Sequence, residues 1–492
     1  MGISLNPSTI LSGQGINVSS IVQQIISAQS GQLSVWQSQQ TAFATQDGLL
    51  EGIQNNLTNL QTAVAALANP VGPLTAQAAT SSNPAVLSAT AGTSAIPGVH
   101  QIIVNNLATA GTIYTDPIAA GAATSFLATG QTTGDIQLQV GGASGTTHDI
   151  AITQGTNDTL TTLSNYINTQ SSAHNWGVTA SVVSDANGSR LALFSQSSGT
   201  PGALAIGANT QTTLTFDAPV GGTNAGLTID AVPFSSTSNT VTGAIQGVTL
   251  SLASQLPGSP VQLSVGPDTN QITAAVNNFI SAYNTVINTI NTQYVVDPTG
   301  SIPAPPLESD ISLRSLQSSL LNDQAYAIGG NSGLVNLAAL GINENNDGTL
   351  TLGATPADPS GLTAGGQTFS QILAANPSAV LNFFQNASGT GFANNFNTDL
   401  TALTAPSTGP LNVALAQNQA EQADLTTTIG NFQAQTQLET TQLTSQYEAV
   451  NASLQQYPLL LQEITQTLGS LGSGTSSSGA LVSSGPTLTS GL

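Results

Sequence analysis

The side chains in this sequence that could do chemistry are few and far apart. Its three histidines, His100, His148 and His174, are isolated from one another and have no HExxH spacing and no cysteine beside them. Each is therefore read as a strand or loop residue rather than a metal ligand. His148 and Asp149 are adjacent, which in a strand sends their side chains to opposite faces and makes a poor acid–base pair. Asn343 to Leu350, NENNDGTL, sets oxygen donors at alternate positions with Gly348 at the turn, as a calcium loop begins. The position where such a loop needs a bidentate Glu is Ala354, and a hairpin turn into a strand Thr349 to Leu352 accounts for the same residues. Cysteine is absent, which removes disulfides, thiolate metal sites and thiol catalysis. Carboxylates are scattered without a paired arrangement, and no glycine-rich phosphate loop follows a strand. The expectation is a protein that is not an enzyme, with no catalytic, metal or cofactor-binding residues and no cofactor.

Composition narrows the partners. Of 492 residues only 5% are charged, and the cations are Arg190 and Arg314 alone, against 23 acidic residues and a formal charge of -21. Binding to nucleic acid or to an anionic membrane surface depends on Lys and Arg, so neither partner is expected. Solubility must rest on Ser, Thr, Asn, Gln and Gly. The first twenty residues lack the positive and apolar regions of a secretory signal, and no run reaches the roughly 18 apolar residues of a membrane span. A protein of this kind that leaves the cell needs another export route.

What remains informative is the arrangement of elements. Two heptad-patterned segments lie toward opposite ends of the chain. In the first, Trp36, Phe43, Leu50, Leu57 and Val64 recur every seven residues and are shadowed by Ile53, Leu60 and Leu67. In the second, Leu443, Val450, Tyr457, Ile464 and Leu471 interleave with Tyr447, Leu454, Leu461 and Leu468. These are the a and d seams of helix pairs, and their residues are the expected coiled-coil and self-association positions. Gln29, Gln32, Gln39 and Gln46 fall on seam positions, where they weaken the pairing and constrain its register. The first helix starts at Asn17 and stops at Asn69-Pro70, because proline lacks the amide and the residue before it avoids the helical region. Gly430 and Pro458 interrupt the last helix, which begins near Leu411, and a kink or break is expected at Tyr457.

Between these segments, strands are expected at Ala85 to Thr90, Val99 to Leu107, Leu227 to Phe234, Val248 to Leu252 and Val261 to Val265. From Gly134 to Ser195 the pattern is self-contained: alternating Ile136, Leu138 and Val140, then Ile150 and Ile152, then a helix over Leu160, Leu163 and Ile167. Asn157 or Asp158 is its expected cap, and two strands around Asn187-Gly188 follow. A further helix capped near Asp268 carries Ile272, Val276, Phe279, Tyr283, Val286 and Ile290. Others hold Ile311 to Leu320 and Phe369 to Phe384, and these are expected to bundle with Phe43 to Leu67. The fold class is multidomain α+β: a terminal coiled-coil or helical-bundle stalk formed by both chain ends, with strand-rich head domains inserted between them. The expected domains are terminal disordered or coiled-coil segments (1–35 and 425–492), a helical bundle (36–72 and 268–424), a β-rich domain (73–115 and 222–267) and an inserted α+β domain (116–221). Residues 1–15 and the tail from Gly472 read as disordered.

Several stretches carry a resemblance. GINVSSIVQQIISAQSGQLSVWQSQQTAF and LTAQAATSSNPAVLSATAGTSAIPGVHQIIVNNLATA resemble the amino-terminal region of flagellar filament cap proteins, also called hook-associated protein 2. Ser238 to Thr242, Gln246 to Leu252, FISAYNTVINTIN, PLESDISLRSLQSSL and LAALGINENNDGTLTL resemble the carboxy-terminal region of the same family, in family order. TLTTLSNYIN and GVTASVVSDANGSRLALFS are similar to a module shared among flagellin-related and hook-associated proteins. The resemblance implies a secreted structural protein at the flagellum tip. It would form a ring-like homo-oligomer of about five subunits, exported with its chaperone through the flagellar type III apparatus. Its partner would be flagellin, whose folding and insertion it would promote and whose loss it would prevent. Two other readings fit parts of the pattern: flagellin itself or a hook–filament junction protein, and a surface adhesin whose binding part would be the Gly134 to Ser195 insertion.

Overall fold

A computed structural model describes residues 16–295, 297–301, 303–356 and 365–472. The readings of residues 1–15 and of the tail beyond Gly472 fall outside the described residues. In chain order the elements are α1 (Val18–Ala68), β1 (Gln77–Ser81), β2 (Leu87–Ala91), β3 (Gly98–Asn106), β4 (Ala110–Tyr114), β5 (Thr133–Val140), β6 (Thr146–Thr153), α2 (Leu160–His174), β7 (Val178–Asp185), β8 (Gly188–Ser198) and β9 (Leu204–Thr210). Then come β10 (Ala225–Ile229), β11 (Val232–Ser236), β12 (Thr240–Ile245), β13 (Val248–Leu252), β14 (Val261–Pro267), α3 (Thr269–Asn291), α4 (Ile311–Gln324), β15 (Ile342–Glu344), β16 (Leu350–Leu352), α5 (Phe369–Ala375), α6 (Pro377–Phe384), α7 (Phe392–Leu403) and α8 (Pro410–Gly472).

The chain divides into two compact units. The first comprises the chain up to Thr58, Val286–Leu320 and the chain from Leu400; the second comprises Asn59–Thr285 and Leu321–Asp399. In the first unit α1 and α8 run antiparallel, because partners that rise in number along one helix fall along the other. Gln29 Nε2 donates to Glu439 Oε1 at 3.1 Å, Gln40 Nε2 to Thr426 Oγ1 at 2.9 Å and Gln54 Nε2 to Asn412 Oδ1 at 2.7 Å. Leu50, Ile53 and Leu57 are buried in this unit, as are Ile287, Ile290, Leu313 and Leu316.

The second unit holds three cores. A five-stranded sheet in the order β1-β14-β3-β10-β11 and a three-stranded sheet β12-β13-β2 bury Ile102, Val104, Leu227, Leu250 and Leu263 in one cluster. Two three-stranded sheets, β4-β8-β7 and β6-β5-β9, close with α2 over Ile136, Leu138, Leu163, Ile167 and Leu193. Rings from α3, α6 and α7 form the third, in which Phe279, Phe383, Phe384, Phe392 and Phe396 are buried.

Local chemistry explains where elements begin and end. Asp268 Oδ1 accepts from the amides of Asn270 and Gln271, which caps α3. The cap of α2 is neither Asn157 nor Asp158. Thr159 takes that place in a reciprocal box with Thr162, while Asn157 and Asp158 accept from the amides of Thr153 and Gly155 and hold the preceding turn. The expected strand Leu227 to Phe234 is in fact a hairpin, β10 and β11, which turns at Asp230 and Ala231 with φ of 49° and 68°. Such left-handed pairs usually carry glycine. Here Asp230 is held instead by the Gln101 amide at 2.8 Å and by His100 Nδ1 at 2.7 Å. No break occurs at Tyr457, since α8 runs through Pro458 to Gly472. Tyr457, Leu459 and Leu460 around the proline are exposed, so water can satisfy the backbone carbonyl that proline leaves without a donor.

The β4–β9 module leaves and rejoins the sandwich at a narrow neck. The Thr109 amide donates to the Thr223 carbonyl at 2.9 Å, and the two hydroxyls lie 2.9 Å apart. Each side of the neck has its own core, so the two parts should fold separately. Replacing residues 110–222 by a Gly-Gly link is expected to leave the melting temperature of the remaining chain unchanged, by circular dichroism. A loss of cooperative melting in the shortened chain would show that the cores depend on each other.

Candidate functional site

The residues able to do chemistry are dispersed. His100 pairs with Asp230, while His148 and His174 stack against Trp176 at centroid distances of 4.7 and 6.4 Å. Burial among these rings lowers the His148 pKa below its ordinary value. NENNDGTL forms the turn joining β15 and β16, with Asp347 Oδ1 accepting from the amide and hydroxyl of Thr349. Among the described residues no three His, Asp or Glu side chains are grouped to hold a metal, and no helix is long and apolar enough to cross a membrane.

The feature that stands out is the α1–α8 pair and what lies beyond it. Trp36 meets Phe432 edge to face at 5.4 Å, and Trp36, Phe43 and Leu425 line a groove of about 440 Å³ that Glu421 and Asp424 border. Gln46, on a polar seam position, donates to the Pro306 carbonyl at 2.9 Å and accepts from Asn418 at 3.5 Å. Asp47 accepts from Gln422. These amide rungs fix the register of a seam that is otherwise thinly apolar.

The two predicted seams have different fates. Trp36 and Phe43 are half-buried, whereas Leu50, Ile53, Leu57, Leu60, Val64 and Leu67 are wholly buried. In α8, Leu443, Tyr447 and Leu454 are half-buried, while Val450, Tyr457, Leu461, Ile464 and Leu468 are 47–65% exposed. The Leu471 side chain lies outside the described residues. Among the described residues, the partners of α8 along α1 end near Asn451. The Ile16 amide donates to Asn451 Oδ1 at 2.7 Å at the start of the described chain, and α8 continues to Gly472, an overhang of roughly 30 Å at 1.5 Å per residue. Leu459 and Leu460 are exposed on the same overhang and fall between the a and d positions, where heptad spacing does not mark them. Glu463 is the overhang's one charged residue. Such a surface can join another apolar helix face without ion pairing.

Comparison with known proteins gives this geometry a context. A sequence profile for the flagellar hook-associated protein 2 N-terminus matches residues 14–111, and one for its C-terminus matches residues 222–458. The B-type flagellar hook-associated protein 2 of Pseudomonas aeruginosa is 29% identical over 482 residues, covering 91% of this chain and 94% of its own. Flagellar hook-associated protein 2 of Escherichia coli is 29% identical over 363 residues, covering 70% of this chain and 75% of its own. The crystal structure of the D1-D2-D3 domains of the flagellar cap protein from Escherichia coli aligns with a TM-score of 0.54 at 25% identity, covering 75% of this chain and 99% of that one. The two profile matches lie in family order on either side of the β4–β9 module and together span about two thirds of the sequence. The chain belongs to the flagellar hook-associated protein 2 family, the flagellar cap proteins.

Proposed function

We propose that copies of this cap protein join through the apolar overhang of α8, and that the resulting ring sits at the filament tip and receives flagellin. The observation that carries the reading is the row Tyr457, Leu461, Ile464 and Leu468, exposed and spaced four, three and four residues apart. That spacing is one side of a helix seam, and among the described residues no helix covers it. A second copy offers the same row, and with one carboxylate per overhang the copies do not repel strongly there. A ring of about five copies suits a closed cyclic assembly. The assembled cap would shelter arriving flagellin while it folds and polymerises, and would prevent its loss to the medium. Export by the flagellar type III apparatus with a dedicated chaperone is the route this reading requires.

The test is complementation of a strain lacking the gene. Wild type is expected to restore filaments. The triple variant Leu461→Ser, Ile464→Ser and Leu468→Ser should leave hooks without filaments and flagellin in the medium. In vitro the same variant should sediment as a smaller species with an unchanged circular dichroism melt, because exposed positions contribute little to stability. Filaments restored by the triple variant would remove the overhang from the mechanism. Normal filaments in the strain lacking the gene would remove the cap function itself.

A further inference from the structure

Two glycines inside the long helices of the first unit have no steric reason to be there. A Cβ added at Gly31 of α1 or at Gly430 of α8 would meet no atom within 4 Å, so alanine would fit at either place. Glycine in a helix interior lowers the helical population about fivefold relative to alanine, because ordering it removes more backbone freedom. The two weak points lie near one level of the pair. Gly31 follows Gln29, which bonds Glu439, by two residues, and Gly430 stands two residues before Phe432, the partner of Trp36. At 1.5 Å per residue the glycines are about 10 Å apart along the pair.

Packing around that level is thin as well. From Gln23 to Leu49 no side chain of α1 is buried, and among the described residues none of α8 beyond Leu411 is. On either side Val18, Ile21 and Val22, and then Leu50, Ile53 and Leu57, are buried. The groove of about 440 Å³ leaves open space beside Trp36. Side-chain hydroxyls also compete for the carbonyls of both helices. Ser30 Oγ donates to the Ser27 carbonyl at 2.7 Å, Ser38 Oγ to that of Ser34 at 2.9 Å, Thr428 Oγ1 to that of Asp424 at 2.9 Å and Thr436 Oγ1 to that of Phe432 at 2.8 Å. Such back-bonding favours bending, and a Ser-Gly pair, here Ser30-Gly31, is a common place for a kink.

We infer that the α1–α8 pair carries a joint at the level of Gly31 and Gly430. There it opens and bends while the buried residues on either side stay packed. The apolar overhang of α8 can then point in more than one direction without disturbing the core around Leu57. Polar rungs suit a joint: the Gln29–Glu439 and Gln40–Thr426 bonds are exposed, and water replaces them when the helices part. A seam of leucines would instead have to expose apolar surface on every opening. The inference concerns the free chain and holds whatever the overhang binds.

Hydrogen exchange of the full chain, read by mass spectrometry, tests this. Amides of residues 27–38 and 426–436 should exchange faster than those of 18–22 and 50–57, because opening the joint uncovers no buried side chain. Gly31→Ala combined with Gly430→Ala should slow exchange in its stretch of each helix by about fivefold for each glycine replaced. Gly48→Ala also enters open space but lies outside the joint, and should leave exchange at 27–38 unchanged. Uniform exchange along the wild-type pair, or no slowing in the double alanine variant, would overturn the inference. A second readout uses the absence of cysteine. Spin labels placed through Ser318→Cys in α4 and Ser445→Cys in α8, both exposed positions, report the separation across the joint. Their distance distribution should be broad in the otherwise wild-type chain and narrower with both alanines. A single narrow distribution before the alanines are introduced would equally overturn the joint.

Discussion

Replacing Leu57 with Asp is expected to unfold the first helical unit. Leu57 has no exposed surface, and Leu50 and Ile53 on the same stripe are equally enclosed. Removing the leucine from such a site costs about 2–5 kcal/mol for lost transfer and cavity alone. The introduced carboxylate adds a further cost of several kcal/mol, because it cannot be paired in a chain whose cations are two arginines. The total rivals the roughly 5–15 kcal/mol that holds a typical domain together. The expected result is loss of a cooperative melt by circular dichroism, accompanied by failure to restore filaments in cells. Leu57→Met keeps the volume and apolarity and should cost less than about 1.5 kcal/mol, which separates a packing defect from any intolerance of substitution. A Leu57→Asp variant that melts beside wild type would place the residue outside the core. The contrast with the overhang is diagnostic. Serine at Leu461, Ile464 and Leu468 should spare the fold and remove assembly, whereas Asp at Leu57 should remove both by unfolding.

That contrast also shows what heptad spacing can and cannot convey. The same seven-residue rhythm marks Leu50 and Leu57, which the chain buries, and Ile464 and Leu468, which it leaves exposed. Periodicity identifies the face of a helix that prefers to leave water. What covers that face depends on how far the opposing helix reaches, and this is a long-range property. Side-chain caps were partly legible: the carboxylate of Asp268 stands where the apolar stripe of α3 begins. At α2 three capping residue types occur in succession, and the selection of Thr159 depended on the reciprocal bond with Thr162. The β10–β11 turn was hidden because Asp-Ala carries no glycine. Its left-handed backbone is held by Gln101 and His100, residues some 130 positions earlier.

Sequence periodicity hides α7, whose first residue should have the largest effect of any single ring in the second unit. Phe392 meets Phe279 at 5.6 Å, Tyr326 at 6.1 Å, Phe384 at 5.9 Å and Phe396 at 5.6 Å, and lies nearly parallel to Phe383 at 5.6 Å. The helix is easily overlooked because its apolar residues, Phe392, Phe396 and Leu400, are separated by Asn and Thr and preceded by Gly389 and Gly391. Yet spacing by four places all three on one stripe. Gly391 has a reason to be there: a Cβ at that position would lie 2.4 Å from the Phe384 carbonyl oxygen, so only glycine lets α7 start this close to the end of α6. Phe392→Ala should therefore destabilise this unit by about 3–5 kcal/mol, because five rings lose a common neighbour and the crowded backbone around Gly391 cannot collapse into the space. Phe392→Leu retains most of the volume and should cost distinctly less. Urea denaturation of the two variants would measure both effects, and equal midpoints for Phe392→Ala and wild type would mean that the ring cluster is not what holds α3, α6 and α7 together.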